Sequence, residues 1–185
     1  MNSKTEALLR ERGALLSGHF QLASGRHADT YIEKFRILQW PDLTESLCRE
    51  IAEHFAEQAD AVAGPTTGGI ILAYETARHM KLPSLIAEKR EDEKGREFRR
   101  GFEVNPEDRI LVVDDVLTTG GSIREVIDAV RERGAIVAGV GVLVDRSGGR
   151  TDFGVPLFAC MTVDVASWPP EECTLCARGV PLTIT

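Results

Sequence analysis

Short apolar runs recur along the chain, each of about the length of a strand and bounded by polar or turn-forming residues. They lie at 61–64 (AVAG), 83–87 (PSLIA), 110–114 (ILVVD) and 135–145 (AIVAGVGVLVD). Runs that are apolar at successive positions, rather than at alternate ones, are typical of strands that are buried on both faces. The pattern therefore predicts a buried and mostly parallel sheet.

Segments with helical spacing lie before and between these runs. The predicted helices cover 4–12 (with Ser3 as candidate N-cap and Gly13 as the stop), the segment after Pro41 and Asp42, 69–80, and Gly121–Glu132. In the second of these helices Leu43, Leu47, Ile51 and Phe55 recur every four residues and fall on one face. Strands that alternate with amphipathic helices predict an α/β fold with helices on both faces of the sheet.

Residues 88–101 (EKREDEKGREFRRG) interrupt this alternation. Eleven of these fourteen residues are charged, and the segment has no apolar stripe to hold it against a core. We therefore expect a mobile surface loop or hairpin. A solvated connection without a role in function is the alternative that composition leaves open.

The composition allows a single domain over residues 1–185, since 43% of the residues are hydrophobic and can form a continuous core. No apolar run approaches the ~20 residues that cross a bilayer. The charged N-terminal stretch, MNSKTEALLRERG, does not read as a secretory signal, and four irregularly spaced cysteines fit a reducing compartment. We expect a cytoplasmic protein without membrane association.

The formal net charge of −7 restricts the class of partner. Nucleic acid is bound by clustered Lys and Arg, so an acidic chain argues against a nucleic-acid partner. A small anionic substrate needs only local positive charge and remains allowed.

Candidate chemistry is concentrated in residues 110–122 (ILVVDDVLTTGGS). The predicted strand delivers Asp114 and Asp115 to the carboxyl edge of the sheet, where open α/β folds bind ligands. The glycines and hydroxyls of TTGGS, just ahead of a helix, suit a phosphate cradle. Acids beside such a cradle suit a ligand like ribose 5-phosphate. A strand, a turn and a capped helix without a ligand are the alternative.

This segment resembles the signature that binds phosphoribosyl pyrophosphate (PRPP) in type I phosphoribosyltransferases, where four apolar residues precede two acids and a TTGG-like loop. The resemblance implies that family's fold, a central mostly parallel sheet flanked by helices, with a small N-terminal hood and a mobile charged loop. It also implies that Asp114 and Asp115 meet the ribose hydroxyls, with Asp115 acting in catalysis. The implied contacts to the 5-phosphate are Val116, Leu117, Thr118, Thr119, Gly120, Gly121 and Ser122.

Three further segments resemble orotate phosphoribosyltransferases. Residues 13–36 are similar to the hood over the base, which the resemblance builds mainly from residues 1–40 and the C-terminal segment. Residues 86–104 (IAEKRE to RRGFEV) resemble the borders of the family's mobile catalytic loop. LVDRSGG at 143–149 is similar to the strand end whose arginine binds orotate.

The resemblance implies that Thr118 and Arg146 hold orotate. A guanidinium fork matches a carboxylate in bidentate fashion and stays charged at any working pH. The alternative for Arg146 is a surface ion pair with Asp145 or Asp152.

In the charged loop, the resemblance implies that Lys89 and Lys94 are catalytic, with Arg90 and Arg96 as further cations for the pyrophosphate. Loop 88–101 reaches the neighbouring subunit's site in that family, so a homodimer is implied. The implied cofactor is Mg²⁺, held mainly by substrate and water, so no metal site built from protein ligands is expected.

The implied reaction transfers ribose 5-phosphate from PRPP to orotate and releases pyrophosphate, in pyrimidine nucleotide biosynthesis. The alternatives are a phosphoribosyltransferase for another base, or a PRPP-sensing regulator that keeps the fold. The chain also departs from the family. Gly68 stands where many members have a lysine on the pyrophosphate, Ala23 stands where a lysine often precedes SGR, and the charged loop has no histidine.

Cys173 and Cys176 form a CxxC pair, which can supply two of the four ligands of a structural zinc site. Cys160 and His19 show no spacing that supports them as further ligands, so thiols without metal are the expectation. The residues expected to be polar and at the surface are His27, His54 and His79.

Overall fold

The computed structural model describes residues 3–22, 24–91 and 94–185, so the departure at Ala23 lies outside the described residues. The helices are α1 (Ser3–Glu11), α2 (Lys34–Leu38), α3 (Pro41–His54), α4 (Gly68–Met80), α5 (Gly121–Glu132) and α6 (Thr174–Ala177), with a 3₁₀ turn at Pro170–Glu172. The strands are β1 (Leu15–Gln21), β2 (His27–Ile32), β3 (Ala61–Pro65), β4 (Ser84–Lys89), β5 (Arg96–Phe98), β6 (Arg109–Leu117), β7 (Ile136–Asp145), β8 (Leu157–Thr162), β9 (Ser167–Trp168) and β10 (Thr183–Ile184). None of the described helices has the length and apolarity that a bilayer crossing requires.

Six strands form the main sheet, in the order β5-β4-β3-β6-β7-β8. Neighbouring strands are parallel except β4 and β5, which are antiparallel. The four apolar runs of the sequence are β4, β3, β6 and β7, so the predicted buried and mostly parallel sheet is confirmed. The apolar pattern did not single out β8 or the short edge strand β5.

Helices cover both faces of the main sheet, as the alternation of elements predicts. On one face, α3 and α4 pack through Leu43, Leu47 and Leu72, all of them buried. On the other face, α5 buries Ile123 and Val126. Burying an apolar side chain of this size contributes about 1.5–3 kcal/mol. These two layers therefore hold β6 and its carboxyl end in a fixed position.

A second sheet of four strands, which we term the hood, has the order β10-β1-β2-β9. Strands β1 and β2 form an antiparallel pair, β9 runs antiparallel to β2, and β10 runs parallel to β1. Both ends of the chain therefore meet in the hood. Its edge faces the carboxyl end of the main sheet, because Leu22, Ser167 and Thr185 line a cavity together with Thr118 and Arg146.

Within the described part of the charged segment 88–101, the end of β4 pairs with β5 in antiparallel fashion. Phe98 is only 3% exposed and joins the core on the α5 face of the sheet. Arg96 is also buried, and its guanidinium lies 3.1 Å from Oε2 of Glu125. The expectation that no apolar residue holds this segment is therefore wrong at Phe98, because pairing with β4 turns alternate β5 side chains inward.

Candidate active site

Two adjacent carboxylates end the buried part of β6, and their surroundings differ. Successive side chains of a strand point to opposite faces. Asp114 lies towards α5, where its Oδ2 accepts a hydrogen bond from Oγ of Ser122 at 2.6 Å and its Oδ1 accepts one from the Asp115 amide at 2.9 Å. Burial raises the pKa of Asp114, and the neighbouring Asp115 carboxylate raises it further. Asp114 is therefore a largely enclosed group that fixes the start of α5.

Asp115 lies on the opposite face and lines a cavity of about 340 Å³. Its Oδ1 accepts a hydrogen bond from the Val116 amide at 2.8 Å. Its Oδ2 lies 3.2 Å from Nζ of Lys34, yet accepts no well-aligned hydrogen bond from the described residues. A carboxylate oxygen that is buried and only partly satisfied is available to a ligand hydroxyl or a cation.

The turn after β6 has the properties that an anion site needs. Thr118 and Thr119 are exposed, and Gly120 holds the N-cap of α5 with a φ of 78°, a conformation that glycine adopts without strain. The first N–H groups of a helix have no partners within it and carry the positive end of the dipole. Leu117 is fully buried in the core, so only its backbone can face a ligand.

Two cavities adjoin at this turn. The larger, of about 650 Å³, lies between the hood and the main sheet, and the smaller is the one that Asp115 lines. Both are lined by Tyr31, Thr118 and Arg146, so the two cavities meet at these three residues. The structure therefore brings together Asp115, the turn and Arg146, which come from separate segments, whereas Asp114 lines neither cavity.

Arg146 follows the last residue of β7 and is more than half buried. Its amide donates a hydrogen bond of 2.8 Å to the Leu117 carbonyl, which ties the two strand ends together. Burial lowers the pKa of the guanidinium, and its buried Nε has no hydrogen-bond partner among the described residues. An unpartnered guanidinium donor of this kind is a costly feature unless a ligand satisfies it.

The alternative for Arg146, a surface ion pair, is not observed within the described ranges. Asp145 is buried, and its Oδ1 accepts a hydrogen bond from the Ser147 amide at 2.6 Å. Asp152 accepts one from the Gly154 amide at 2.8 Å. Both neighbouring carboxylates thus cap local turns, and Arg146 faces the cavity.

The β3–α4 turn approaches Asp115 closely. A Cβ atom on Gly68 would lie 2.1 Å from Oδ2 of Asp115, so no side chain fits there without displacing the carboxylate. The lysine that many family members carry at this position therefore has no room in this arrangement. Arg96 supports the turn from outside, because its Nη1 donates to Oγ1 of Thr66 at 3.0 Å and to the Ala87 carbonyl at 2.9 Å.

The loop cations do not reach this site within one chain. The described residues of 88–101 include none that line either cavity. Lys89 and Lys94 are exposed, whereas Arg90 pairs with Glu132 and Arg96 is buried. Arg96 is thus a structural residue of the hairpin in this arrangement.

Tyr31 and Lys34 also belong to the site, although no motif in the sequence singles them out. Tyr31 lines both cavities, and Lys34 forms an ion pair with Asp115 from the start of α2. Both fall within the hood-like segment, and Lys34 is the only lysine of residues 13–36. That local positive charge, in an acidic chain, was the signal that could have found it.

Comparison with known proteins identifies the family. A model of the phosphoribosyl transferase domain matches residues 36–170. The chain is 50% identical to the orotate phosphoribosyltransferase of Pelotomaculum thermopropionicum over 177 residues, which cover 95% of this chain and 92% of that protein.

Solved structures give the same result. The crystal structure of orotate phosphoribosyltransferase from Aeropyrum pernix matches with a TM-score of 0.70 and 31% identity, covering 85% of this chain and 92% of that one. The Mycobacterium tuberculosis H37Rv orotate phosphoribosyltransferase, in complex with inorganic phosphate, matches with a TM-score of 0.70 and 26% identity, covering 86% and 94%. The chain has the type I phosphoribosyltransferase fold and belongs to the orotate phosphoribosyltransferase family.

Proposed function

We propose that this protein transfers the 5-phosphoribosyl group of PRPP to orotate, giving orotidine 5′-monophosphate and pyrophosphate in pyrimidine nucleotide biosynthesis. One observation carries the proposal. Asp115 and Arg146, each with a buried polar atom that lacks a hydrogen-bond partner among the described residues, line the same cavity together with Thr118. Few ligands would need a carboxylate, a phosphate cradle and a guanidinium in that order.

The phosphoribosyl group is bound at the end of β6 in this proposal. The 5-phosphate lies against the amides of residues 118–122 and the hydroxyls of Thr118 and Thr119, where the start of α5 favours an anion. Asp115 accepts hydrogen bonds from the ribose hydroxyls. Asp114, held by Ser122, fixes the geometry of the turn and completes the acid pair.

Orotate binds between the hood and the main sheet. Its carboxylate meets Arg146, whose planar fork can donate two parallel hydrogen bonds. Thr118 lines both cavities and therefore lies where the base and the sugar phosphate meet. The ring of Tyr31 provides an apolar wall on the hood side.

The reaction replaces one bond at the anomeric carbon by another. The carbon–oxygen bond to pyrophosphate breaks, and a bond forms to the ring nitrogen of orotate, whose N–H proton is released to solvent. Positive charge develops on the sugar and negative charge on the leaving group, so no protein nucleophile is required. Catalysis therefore depends on holding the two reactants in line and on stabilising the separating charges.

Mg²⁺ is the cofactor we propose, and the residues at the site fit a cation carried by its substrate. Asp115 offers a partly satisfied carboxylate oxygen, which is the donor type that Mg²⁺ prefers. Within the described residues, the His, Cys, Asp and Glu side chains that converge closely enough to bind a metal lie in the hood and not here. When bound, the cation supplies positive charge to the leaving pyrophosphate.

A homodimer completes the site in this proposal, with loop 88–101 of one copy supplying Lys89 or Lys94 to its neighbour. Two observations support it. Both lysines are exposed and line neither cavity of their own chain, and a groove of about 650 Å³ between α3 and α4 exposes Ile71 and Tyr74. An exposed apolar groove of this kind is typical of a protein interface, and we assign it to a second copy.

We place this activity in the cytoplasm. The four cysteines are all free thiols, with no disulfide between them. Such cysteines are typical of proteins from reducing compartments.

The test is an absorbance assay of the purified protein with PRPP, Mg²⁺ and one base at a time. The bases are orotate, uracil, hypoxanthine and adenine. We expect orotate alone to be consumed, because the other three have no carboxylate for Arg146. Consumption of another base at a comparable rate, or binding of PRPP without consumption of any base, would overturn the proposal.

A further inference from the structure

Four potential metal ligands converge in the hood, away from the cavities described above. His19 lies on β1, His27 begins β2, and Cys173 and Cys176 flank the start of α6. Their ligand atoms all lie within 4.8 Å of one another. His27 is only 4% exposed, so the expectation that it is a surface residue is wrong. The CxxC spacing indicated two of the four ligands but not the two histidines, because the members of the cluster are up to 157 residues apart.

Four of the six distances between the ligand atoms lie near those of a tetrahedral site. Nε2 of His19 lies 3.1 Å from Nδ1 of His27 and 3.4 Å from Sγ of Cys173. Sγ of Cys176 lies 3.2 Å from Nδ1 of His27 and 3.7 Å from Nε2 of His19. Ligands at the usual Zn–N and Zn–S bond lengths would lie about 3.4 Å apart for two nitrogens and about 3.6 Å apart for nitrogen and sulfur.

The histidine orientation also suits a metal. Nδ1 of His19 lies 2.8 Å from the Val180 carbonyl, and a carbonyl can only accept, so this nitrogen carries the proton. Nε2 is then left with a lone pair that points into the cluster. Imidazole ligands of zinc commonly donate their other N–H to a carbonyl or carboxylate in this way.

The burial pattern fits a structural site with one open edge. His19, His27 and Cys173 are each less than 5% exposed, whereas Cys176 is exposed. Three enclosed ligands would hold a metal rigidly, and the exposed thiol marks the side from which it can enter. The alternative is a cluster without metal, in which neutral thiols and imidazoles form hydrogen bonds in pairs. Such pairs do not require all four ligand atoms to converge on a common centre, as they do here.

We propose that His19, His27, Cys173 and Cys176 bind one structural Zn²⁺ ion. Two sulfurs and two imidazole nitrogens in a tetrahedral arrangement are a ligand set that selects zinc over Mg²⁺, which prefers oxygen. This site is separate from the proposed Mg²⁺–PRPP chemistry and does not depend on it.

The ion would fasten the C-terminal segment to the first hairpin of the hood. His27 pairs in register with Trp168, and the neighbouring Arg26 donates from Nε to Oγ of Ser167 at 3.0 Å. Ser167 and Thr185, which lie on either side of the two cysteines in sequence, both line the larger cavity. A metal at the cluster therefore stabilises the hood wall of the substrate cavity without touching the substrate.

The first test measures metal content. The full chain is purified anaerobically without a polyhistidine tag, and its metals are quantified by plasma mass spectrometry. We expect about one zinc ion per chain. Cys176→Ser, at the exposed ligand, should lower the zinc content at least tenfold. The matched control is Cys160→Ala, which removes a buried thiol outside the cluster and should leave the zinc content unchanged.

A second measurement tests metal coordination in the wild-type protein, so it does not depend on the folding of the Cys176 variant. Wild-type protein is stripped with a chelator and reconstituted with Co²⁺, and its absorption spectrum is recorded. Tetrahedral coordination with two thiolates should give intense visible d–d bands and a near-ultraviolet sulfur-to-cobalt band, which Mg²⁺-type oxygen sites do not give. Stripping should also lower the thermal midpoint, and zinc should restore it.

Three results would overturn the proposal. The first is a wild-type protein with neither zinc nor the cobalt spectrum. The second is a folded Cys176→Ser variant that retains full zinc content. The third is a disulfide between Cys173 and Cys176 in the anaerobic preparation, detected as a mass lower by two hydrogens.

Discussion

Arg146 combines a fixed backbone with an unsatisfied side chain. Its amide is bonded to the end of β6, which holds the residue beside the phosphate turn, while its Nε lacks a partner among the described residues. Burial strengthens any ion pair that the guanidinium forms, because less water competes for the charge. The base specificity of the protein therefore depends on this side chain in our account.

Replacement of Arg146 by Gln should weaken orotate use selectively. Loss of a buried, charge-assisted pair should raise the transition-state free energy by about 2–4 kcal/mol, which lowers kcat/KM for orotate roughly 30- to 900-fold. Calorimetry should find PRPP affinity nearly unchanged. Arg49→Gln, which removes an exposed guanidinium on α3, serves as the control and should behave as wild type. Equal losses for orotate and PRPP would contradict the assigned role.

The ionised carboxylate of Asp114 should lower the free energy of unfolding at neutral pH. Its pKa is raised by burial, with a further contribution from Asp115, so the folded state disfavours its charged form. The resulting penalty is fully present above the raised folded pKa and disappears as the pH falls below the unfolded value of about 3.8. We therefore expect Asp114→Asn to raise the denaturation midpoint at pH 7, and the gain to shrink as the pH is lowered to 4.

Asp60 provides a control with the opposite sign. Its hydrogen bonds with the Arg109 side chain and backbone lower its pKa to about 2, so its ionised form is favoured by folding. Asp60→Asn should therefore lower stability at pH 7, and the loss should fade below about pH 3.8, the unfolded value. A stabilising effect of Asp60→Asn, or an Asp114→Asn gain independent of pH, would contradict the assignments.

Site residues could be predicted where they lie in one contiguous sequence motif, and not where only folding brings them together. Asp114 to Ser122 lie in one uninterrupted segment, so strand, acids and turn could be read together. Tyr31 and Lys34 reach the same cavity from the hood, and only the folded chain brings them there. The same reason explains why His19 and His27 could not be matched with Cys173 and Cys176.

At the scale of elements, the turn between β3 and α4 presses against the end of β6. Gly68 allows this contact, because any Cβ there would meet Oδ2 of Asp115 at 2.1 Å. The β3–α4 turn and the end of β6 therefore together define the space that the Asp115 side chain occupies. The orientation of Asp115 is set by the packing of α4 as much as by β6 itself.

Gly68→Ala should weaken PRPP binding by displacing the Asp115 carboxylate. The double-mutant cycle with Asp115→Ala isolates this effect. In the wild-type background Gly68→Ala should lower PRPP affinity measured by calorimetry, whereas in the Asp115→Ala background it should have almost no effect, because the colliding oxygen is gone. The same loss in both backgrounds would show that Gly68 acts independently of Asp115.

Prediction of elements succeeded where burial decides structure. Strands β3, β6 and β7 are apolar on both faces, and few other arrangements could bury them, whereas β4 buries only Leu85 and Ala87 on one face. The hood strands β9 and β10 have only two residues each and pair with strands more than 100 residues away. Strands that short have no periodicity of their own, so their pairing depends on tertiary contacts that the sequence pattern does not show.

At the scale of the whole molecule, we propose a homodimer in which each copy contributes its loop 88–101 to the site of the other. An intersubunit role for loop 88–101 makes a distinctive prediction. The double variant Lys89→Ala, Lys94→Ala and the single variant Asp115→Asn should each be nearly inactive alone. If subunits exchange, a mixture of the two should recover about one quarter of wild-type activity, since half the dimers are hybrids with one intact site.

The control for this mixing experiment is Tyr74→Glu, which places a charge in the apolar groove of α4. Tyr74→Glu is added to both variants of the mixing experiment. Sedimentation of these proteins should show a shift towards monomer, and mixing them should recover no activity. Full activity of the double lysine variant, or of a monomeric protein, would contradict the shared site.

The most direct test of the central claim is the stoichiometry of the reaction. Wild-type protein is supplied with PRPP, Mg²⁺ and orotate, and orotate loss and pyrophosphate release are measured in the same sample. Our account predicts one pyrophosphate per orotate consumed, with orotidine 5′-monophosphate as the product. Release of pyrophosphate without loss of orotate, or no release at all, would contradict it.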